Sequence, residues 1–199
     1  MLPHLHPLPR SFYLRSTLTV AKDLLGKLLV RKIGPKLLVG KIVEVEAYLG
    51  RRDPASHAYR GKTKRNEVMF WEGGHLYVYF TYGMHFCANV VTGREGIGEA
   101  VLLRAVEPLA GLEIMKRNRG LRPNANVYDL TNGPAKLCEA FDIGRTENGS
   151  DLLSDSVMIA QNRGGEREVV VATTRIGIRL GTEHRWRFHL KNNPWVSRR

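Results

Sequence analysis

Sulfur and metal-ligand chemistry are what this chain most conspicuously lacks. It holds 2 cysteines, Cys87 and Cys138, with no C-x-x-C pair, so neither a disulfide framework nor a zinc knuckle is indicated. Both lie in apolar surroundings and read as small core residues. His57, His75 and His85 are scattered, with no H-x-E or C-x-x-C nearby, which argues against a zinc deaminase. No metal and no cofactor are expected. The absence of G-x-G-x-x-G, P-loop and G-x-S-x-G elements removes dinucleotide, NTP and serine-hydrolase readings. No segment approaches the ~20 apolar residues of a membrane span. The first ten residues carry prolines where a signal peptide needs an apolar run, so the expected setting is cytoplasmic, with no membrane partner.

Acidic residues are also scarce. Lys plus Arg number 31 against 19 for Asp plus Glu, giving a net charge of +12 and a pI near 10.0. The cations cluster at Arg51, Arg52, Arg60, Lys62, Lys64 and Arg65. They recur at Lys116, Arg117, Arg119 and Arg122, and again at Arg185, Arg187, Lys191, Arg198 and Arg199. Such an excess points to a polyanionic partner, against the plainer alternative of a solvated positive face.

What is present is an ordinary globular composition, 43% hydrophobic and 25% charged over 199 residues, which fits one domain spanning 1–199. Residues 1–10 read as a loosely ordered arm. Thr17 reads as the N-cap of a helix through Leu18, Ala21, Leu24 and Leu25, stopped by Gly26. Lys27–Ile33 and Leu37–Tyr48 are predicted strands around a Gly34-Pro35 turn. Residues 49–66 form a long polar connection, of the kind that is usually functional or mobile. His75–Phe80 and Phe86–Val91 are a second strand pair about Tyr82-Gly83, followed by a strand over Ala100–Val106. Helical character runs over Leu109–Arg119 and again from Pro134, a favoured first position. Strand returns at Val157–Ala160, Val169–Ile178 and Trp186–Leu190. There is no repeat, low-complexity tract or linker, and the predicted class is α+β on a mostly antiparallel sheet.

Strand alternation in Val43-Glu44-Val45-Glu46 puts both glutamates on one face, with Tyr48 two residues further along it. Solvated glutamates on an outer face would be the ordinary outcome. The company of Tyr48, His57, Tyr77 and Tyr79 instead suggests a carboxylate in an aromatic slot, suited to activating a water beside a flat ligand. Tyr82 precedes Gly83 at a turn, where a large aromatic gains little burial but makes a good wedge between stacked bases.

These residues make the chain recognisable. It resembles the alkyladenine (3-methyladenine) DNA glycosylase family from about Phe12 to Ser197. The pieces that carry the likeness are Val43-Glu44-Val45-Glu46-Ala47-Tyr48-Leu49-Gly50, Thr63-Lys64-Arg65-Asn66 and Leu76-Tyr77-Val78-Tyr79. They continue through Tyr82-Gly83-Met84, Phe86-Cys87-Ala88-Asn89, Val101 to Pro108, Gly133 to Cys138 and Asn193-Pro194-Trp195-Val196-Ser197.

The resemblance implies a single compact domain with a curved antiparallel sheet, surrounding helices and a protruding β-hairpin that inserts into DNA. It implies a monofunctional, metal-free, monomeric enzyme acting on double-stranded DNA that contains damaged purines. Such an enzyme flips out 3-methyladenine, 7-methylguanine, hypoxanthine or ethenoadenine and hydrolyses the N-glycosidic bond, leaving an abasic site. It maps a catalytic role to Glu46, Arg104 and the backbone carbonyl of Ile176, base contacts to Tyr48, His57, Tyr79 and Asn89, and DNA contacts to Tyr82, Met84, Thr63 and Arg65. The chain departs from the family's human member in carrying His85 for a tyrosine and two more residues between Asn89 and Arg104. A non-catalytic nucleic-acid-binding module would use the same tyrosines but leaves Glu46 and Arg104 unexplained. A formyl-transfer enzyme is related at the level of fold only and lacks an identifiable folate site.

If the positive charge serves backbone contact, DNA affinity will fall steeply with salt. Neutralising roughly five phosphates gives a log–log slope near −4.5. A salt titration of duplex binding checks this, and a slope near zero would assign the charge to something else.

Overall fold

Strand β2, Lys36–Tyr48, is the longest element, and both faces of the sheet are organised around it. In the computed structural model the described residues are 5–122, 124–153, 156–162, 164 and 168–197, so Arg198, Arg199 and the first four residues of the expected arm lie outside them. Strand β1 (Leu28–Ile33) pairs with the first half of β2, from Leu28 opposite Lys41 to Ile33 opposite Lys36. Along the other edge β5 (Glu99–Ala110) runs nearly the full length of β2. Strands β3 (Leu76–Thr81) and β4 (His85–Thr92) extend the sheet beyond β5, and β6 (Val157–Ala160) extends it beyond β1. At Glu44 the β1 edge of β2 passes to β8 (Arg187–Leu190), which carries β7 (Val170–Thr173) with it. All these pairings are antiparallel, and the sheet curls into a half-barrel.

Among the described residues four α-helices accompany it: α1 (Arg10–Tyr13), α2 (Thr17–Leu24), α3 (Leu112–Asn118) and α4 (Pro134–Ala140). Helix α2 buries Thr17, Val20, Ala21 and Leu24, an i, i+3, i+4, i+7 stripe, against β2 and β5. Helix α4 packs on β4 and β5 through Leu137 and Cys138. The strands meet these helices with alternate residues, namely Val43, Val45 and Ala47 on β2, Val101, Leu103 and Ala105 on β5, and Ala88 and Val90 on β4. The intervening residues of the same strands therefore point to the opposite face, and that is where the polar groups lie.

Three register irregularities interrupt the β2–β5 ladder, one at Val39/Gly40 and two around Glu44. Ile42 faces Val106 and Glu44 faces Ala105, so Val43 is extra on β2; Glu44 faces Ala105 and Val45 faces Leu103, so Arg104 is extra on β5. A bulge re-aims the side chain of its extra residue. Here the re-aimed residue is an arginine beside two glutamates.

Several expectations need correction. The arm is packed from residue 7 on: Pro7 bridges Ala160, the Leu8 N–H donates to the Ile159 carbonyl at 2.8 Å, and Leu8 is buried. Ser16, not Thr17, occupies the N-cap of α2, because the Thr17 hydroxyl is buried against Thr92 and Glu99. The helix predicted over Leu109–Arg119 begins only at Leu112, since β5 continues to Ala110 and Gly111 breaks the chain direction at φ +84°. The strand predicted over Val169–Ile178 ends at Thr173, because Arg175 and Ile176 leave the ladder to bond elsewhere. The 49–66 connection is pinned by buried side chains: Asn66 Nδ2 donates to the carbonyls of His57 and Gly61, and Asp53 is fully enclosed. No helix among the described residues is long and apolar enough to cross a membrane.

Strands β3 and β4 form a hairpin with Tyr82, Gly83 and Met84 at the tip. The Met84 N–H donates to the Thr81 carbonyl, and both Tyr82 (φ +51°) and Gly83 (φ +69°) are left-handed, the signature of a type I′ turn. Glycine accepts that conformation freely, whereas an aromatic residue does not. Tyr82→Asn relieves this strain and is expected to raise the unfolding free energy by about 1 kcal/mol. Urea denaturation measures it, and a loss of stability instead would make the ring a packing residue.

Candidate functional site

One row of residues crosses five strands. Tyr77 on β3 faces Asn89 on β4, Asn89 faces Leu102 on β5, Leu102 faces Glu46 on β2, and Glu46 faces Arg187 on β8. Directly opposed residues share a face, so antiparallel pairing alone gathers positions 77 to 187 on the side away from the helices.

Glu46 is 0% exposed and holds three partners. Its Oε2 accepts the Tyr48 hydroxyl at 2.8 Å, its Oε1 accepts the Ile176 N–H at 2.8 Å, and Arg104 Nη1 lies 3.2 Å from Oε1. Burial, reinforced by the Glu46 charge, pushes the Tyr48 hydroxyl far above its ordinary range, so it stays protonated and donates. Oε1 already holds two of these partners, whereas Oε2 holds one and has room for a second hydrogen bond, so the group is held without being saturated.

Glu44 stands one alternate position back and is equally enclosed. Its Oε1 accepts Arg104 Nε at 2.8 Å, Arg187 Nε at 2.7 Å and the Ser197 hydroxyl at 2.9 Å, while Oε2 accepts the Ser197 N–H at 2.6 Å. Burial alone would raise its carboxyl, but the Arg104 and Arg187 charges and the Ser197 N–H win and hold it below the usual carboxylate range. For Arg104 burial opposes the charge, and Glu46 and Glu44 together restore it and raise its pKa.

A second buried pair backs Tyr48. Arg175 and Asp53 are both fully enclosed, with Arg175 Nη2 donating to Asp53 Oδ1 at 2.8 Å and Nη1 donating to the Ala47 carbonyl at 3.0 Å. The guanidinium lies 4.8 Å from the Tyr48 ring centre and 5.1 Å from that of Trp186, on which His184 stacks at 3.9 Å. This pair ties the 49–66 connection to the segment after β7, which delivers the Ile176 N–H.

Glu46's three partners, Tyr48, Arg104 and Ile176, all line a cavity of about 430 Å³. His57, Arg65, Tyr77, Tyr79, Tyr82, Cys87, Asn89 and Leu102 line it too, a size and aromatic character suited to a planar ligand. His57 lies edge-on to Tyr79 at 4.5 Å, Tyr79 stacks with Tyr77 at 5.6 Å, and His57 Nδ1 is 3.2 Å from the Tyr77 hydroxyl. Burial, then the Arg65 charge, lowers the His57 pKa, which keeps the imidazole neutral at pH 7. Burial pushes Tyr77 up to about 12 and raises Tyr79 further, so both phenols remain uncharged. Asn89 is buried and its Nδ2 donates to the Tyr77 carbonyl at 3.1 Å, which fixes the amide at the cavity floor.

The predicted site residues thus divide. Tyr48, His57, Arg65, Tyr79, Tyr82, Asn89, Arg104 and Ile176 meet at the cavity, and Glu46 lies immediately behind it. Met84, 69% exposed at the hairpin tip, and Thr63, exposed on the pinned connection, stand outside. Ile176 reaches Glu46 through its N–H. Cys87 is not simply a core residue, because it faces Tyr79 across the hairpin and lines the cavity, whereas Cys138 is enclosed in the core. Sequence reasoning missed the Glu44–Arg187–Ser197 network and the Asp53–Arg175 pair. For Glu44 a signal existed, since strand alternation placed it beside Glu46. For Asp53, inside a polar connection, none did. Among the described residues no group of three His, Cys, Asp or Glu side chains is arranged to hold a metal ion.

The profile of the family described as methylpurine-DNA glycosylase matches residues 11–194. The chain is 53% identical over 193 residues to a protein of Carboxydothermus hydrogenoformans, covering 96% of this chain and 99% of that one. It is 49% identical over 195 residues to one of Methanoculleus marisnigri, again covering 96% and 99%. A third, of Alkaliphilus oremlandii, is 44% identical over 201 residues with the same coverage. All three carry the name "Putative 3-methyladenine DNA glycosylase".

Glu44→Gln removes the carboxylate that Arg104 and Arg187 share, and removing one partner of a buried pair costs about 3–5 kcal/mol. Chemical denaturation at pH 7 should show a loss of that order. Because the folded-state pKa is depressed, the wild-type advantage is fully present above the ordinary carboxylate range and fades as the pH falls through the folded value. A variant as stable as wild type at pH 7 would remove Glu44 from its place at the centre of the network.

Proposed function

The chain belongs to the methylpurine-DNA glycosylase family, a family of DNA-repair hydrolases, and from that premise we propose that it is a monofunctional alkylpurine-DNA glycosylase. On this reading it flips a damaged purine (the 3-methyladenine, 7-methylguanine, hypoxanthine and ethenoadenine class) into the aromatic cavity and hydrolyses its N-glycosidic bond. The observation that carries the reading is Glu46, bracketed by a phenol, a backbone N–H and a guanidinium directly behind that cavity.

The base lies among Tyr48, His57, Tyr77 and Tyr79. A cationic alkylpurine gains from these electron-rich rings about 0.5–2 kcal/mol beyond area burial when desolvated. The imidazole and phenols around the base are neutral, and of the guanidiniums that line the cavity Arg104 is paired with Glu44 and Glu46. Asn89 meets the base edge, where the amide rejects the exocyclic amino group of normal guanine by leaving it unpaired or in collision. Tyr82, 84% exposed at the hairpin tip, enters the stack and fills the gap left by the flipped nucleotide.

In the chemical step water attacks C1′ and the C1′–N9 bond breaks, its electron pair leaving with the purine. The water's proton passes to the Glu46 carboxylate, and the carboxylate's charge offsets the positive charge developing on the sugar until then. Arg104 and the Ile176 backbone hold the carboxylate in place, and the backbone of Ile176 also orients the water. The products are an abasic sugar and the free base: a cationic alkylpurine leaves as a neutral base, and a neutral purine such as hypoxanthine takes up the proton that the hydrolysis releases. No lysine lines the cavity among the described residues, which favours hydrolysis over a Schiff-base lyase route.

Glu46→Gln keeps the shape of the group and removes the base. It should bind a lesion-bearing duplex as wild type does and lose at least ~10²-fold in single-turnover excision, scored as alkali-labile abasic sites. Excision at the wild-type rate would sink the mechanism. Strand scission by the wild type without alkali would sink the monofunctional assignment.

A further inference from the structure

A second groove lies against the other side of β3 and is not used by the reaction described above. It encloses about 440 Å³, and its walls include Lys64, Arg65, Phe80, Phe86, Arg145 and Asn148. Three cations line it and no carboxylate does. Lys64, Arg65 and Arg145 are exposed, and Arg65 Nη2 donates to the Phe80 carbonyl at 3.1 Å along the outer edge of β3. Asn148 Oδ1 accepts the Val78 N–H at 2.9 Å, so the same edge is anchored at one end of the groove. Phe80 is 40% exposed, its ring held 5.1 Å from Phe86 directly across the hairpin.

Charged side chains often guard a sheet edge, but an exposed phenylalanine among them defeats that purpose. Cations that follow a path, with an aromatic face set between them, are the chemistry of a single nucleic-acid strand: phosphates meet the cations and an unstacked base lies on the ring. A continuous duplex presents base edges, not faces, and cannot satisfy Phe80. The groove shares Arg65 and Tyr79 with the aromatic cavity, so a strand whose base enters the cavity passes the groove's mouth.

We propose that this groove binds unpaired nucleotides adjoining the lesion, which gives the enzyme a preference for damage beside single-stranded DNA. The proposal rests on the reading of the neighbouring cavity as the damaged-base pocket. The flanking strand places its phosphates on Lys64, Arg65 and Arg145 and one base against Phe80.

Fluorescence anisotropy with full-length protein and labelled lesion duplexes tests it. One duplex is continuous; two others carry a short unpaired stretch immediately 5′ or immediately 3′ of the lesion. Wild type should bind at least one interrupted duplex about tenfold more tightly than the continuous one, the scale of one stacking contact. Phe80→Ser and Arg145→Gln should each remove most of that surplus while leaving continuous-duplex affinity and single-turnover excision unchanged. Phe80→Leu keeps apolar bulk against Phe86 and should also lose the surplus, which covers the case in which the serine variant misfolds. Equal wild-type affinities for all three duplexes overturn the proposal, as does a surplus that survives in both Phe80→Leu and Arg145→Gln. Absence of excision by wild type on every duplex would instead overturn the glycosylase reading, while the affinity comparison still decides the groove.

Discussion

Four buried charges govern this structure. Glu44, Glu46, Arg104 and Arg187 sit side by side on three adjacent strands, two anions against two cations. Ions taken out of water each cost several kcal/mol, and their mutual attraction repays that only when geometry and hydrogen bonding are nearly complete. Here the requirement is met by the bulge at Arg104, which lets one guanidinium reach both glutamates, and by the C-terminal Ser197, which donates twice to Glu44. The bulge, the switch of β2's partner from β1 to β8 and the return of the chain end across the sheet all satisfy this one cluster. An apolar core of the same volume would be as stable or more so. The cluster is better understood as the means of holding Glu46 fixed one layer behind an aromatic cavity.

The second buried pair extends that logic outward. Asp53 and Arg175 connect a long polar segment to an irregular one, and neither segment has ladder hydrogen bonds to hold it at that point. By stacking on Tyr48 and Trp186, Arg175 also fixes the ring whose hydroxyl donates to Glu46. Rigidity is thus concentrated behind the cavity, and exposure and backbone strain are concentrated in front of it, at Tyr82 and Met84. A left-handed aromatic residue at a turn that glycine would fill without cost is a conformational expense with no packing return. It is consistent with a ring presented to something that arrives from outside.

Much of this was legible in the sequence, and for identifiable reasons. Period-2 alternation from Val43 to Tyr48 placed Glu44, Glu46 and Tyr48 on one face, and turn residues located both hairpins. Strand period cannot, however, report which strands become neighbours. The row from Tyr77 to Arg187 depends on a β8 that pairs with β2 only over Glu44 to Glu46, and nothing local marks that choice. A bulge is likewise invisible to a pattern that assumes an unbroken ladder, so nothing local in the Ala100–Val106 strand reports the orientation of Arg104. The strand expected over Val169–Ile178 failed because its β-branched composition described a propensity, while Arg175 and Ile176 were claimed by Asp53 and Glu46 from outside the ladder. Tertiary partners overrode local preference at the very residues that complete the site.

The same cross-strand row separates two tasks that could otherwise conflict. Under the proposed function, Asn89 governs which base edge is accepted and Glu46 governs attack on the sugar, and Leu102 stands between them. Asn89 takes its orientation from the Tyr77 carbonyl on β3, on the far side from the ionic cluster. Glu46 takes its orientation from Tyr48, Arg104 and Ile176, none of which bonds to Asn89 through any hydrogen bond described above. Sites with no shared partner contribute nearly independently. A substitution at the β3–β4 end can therefore reshape the acceptance of a purine edge without disturbing the balance of buried charge at the β2–β5–β8 end. Change within the four-charge cluster is costlier, because it upsets the balance of buried charge on which the placement of Glu46 depends. Selectivity is in this sense the adjustable property of the fold, and the buried carboxylate is the fixed one.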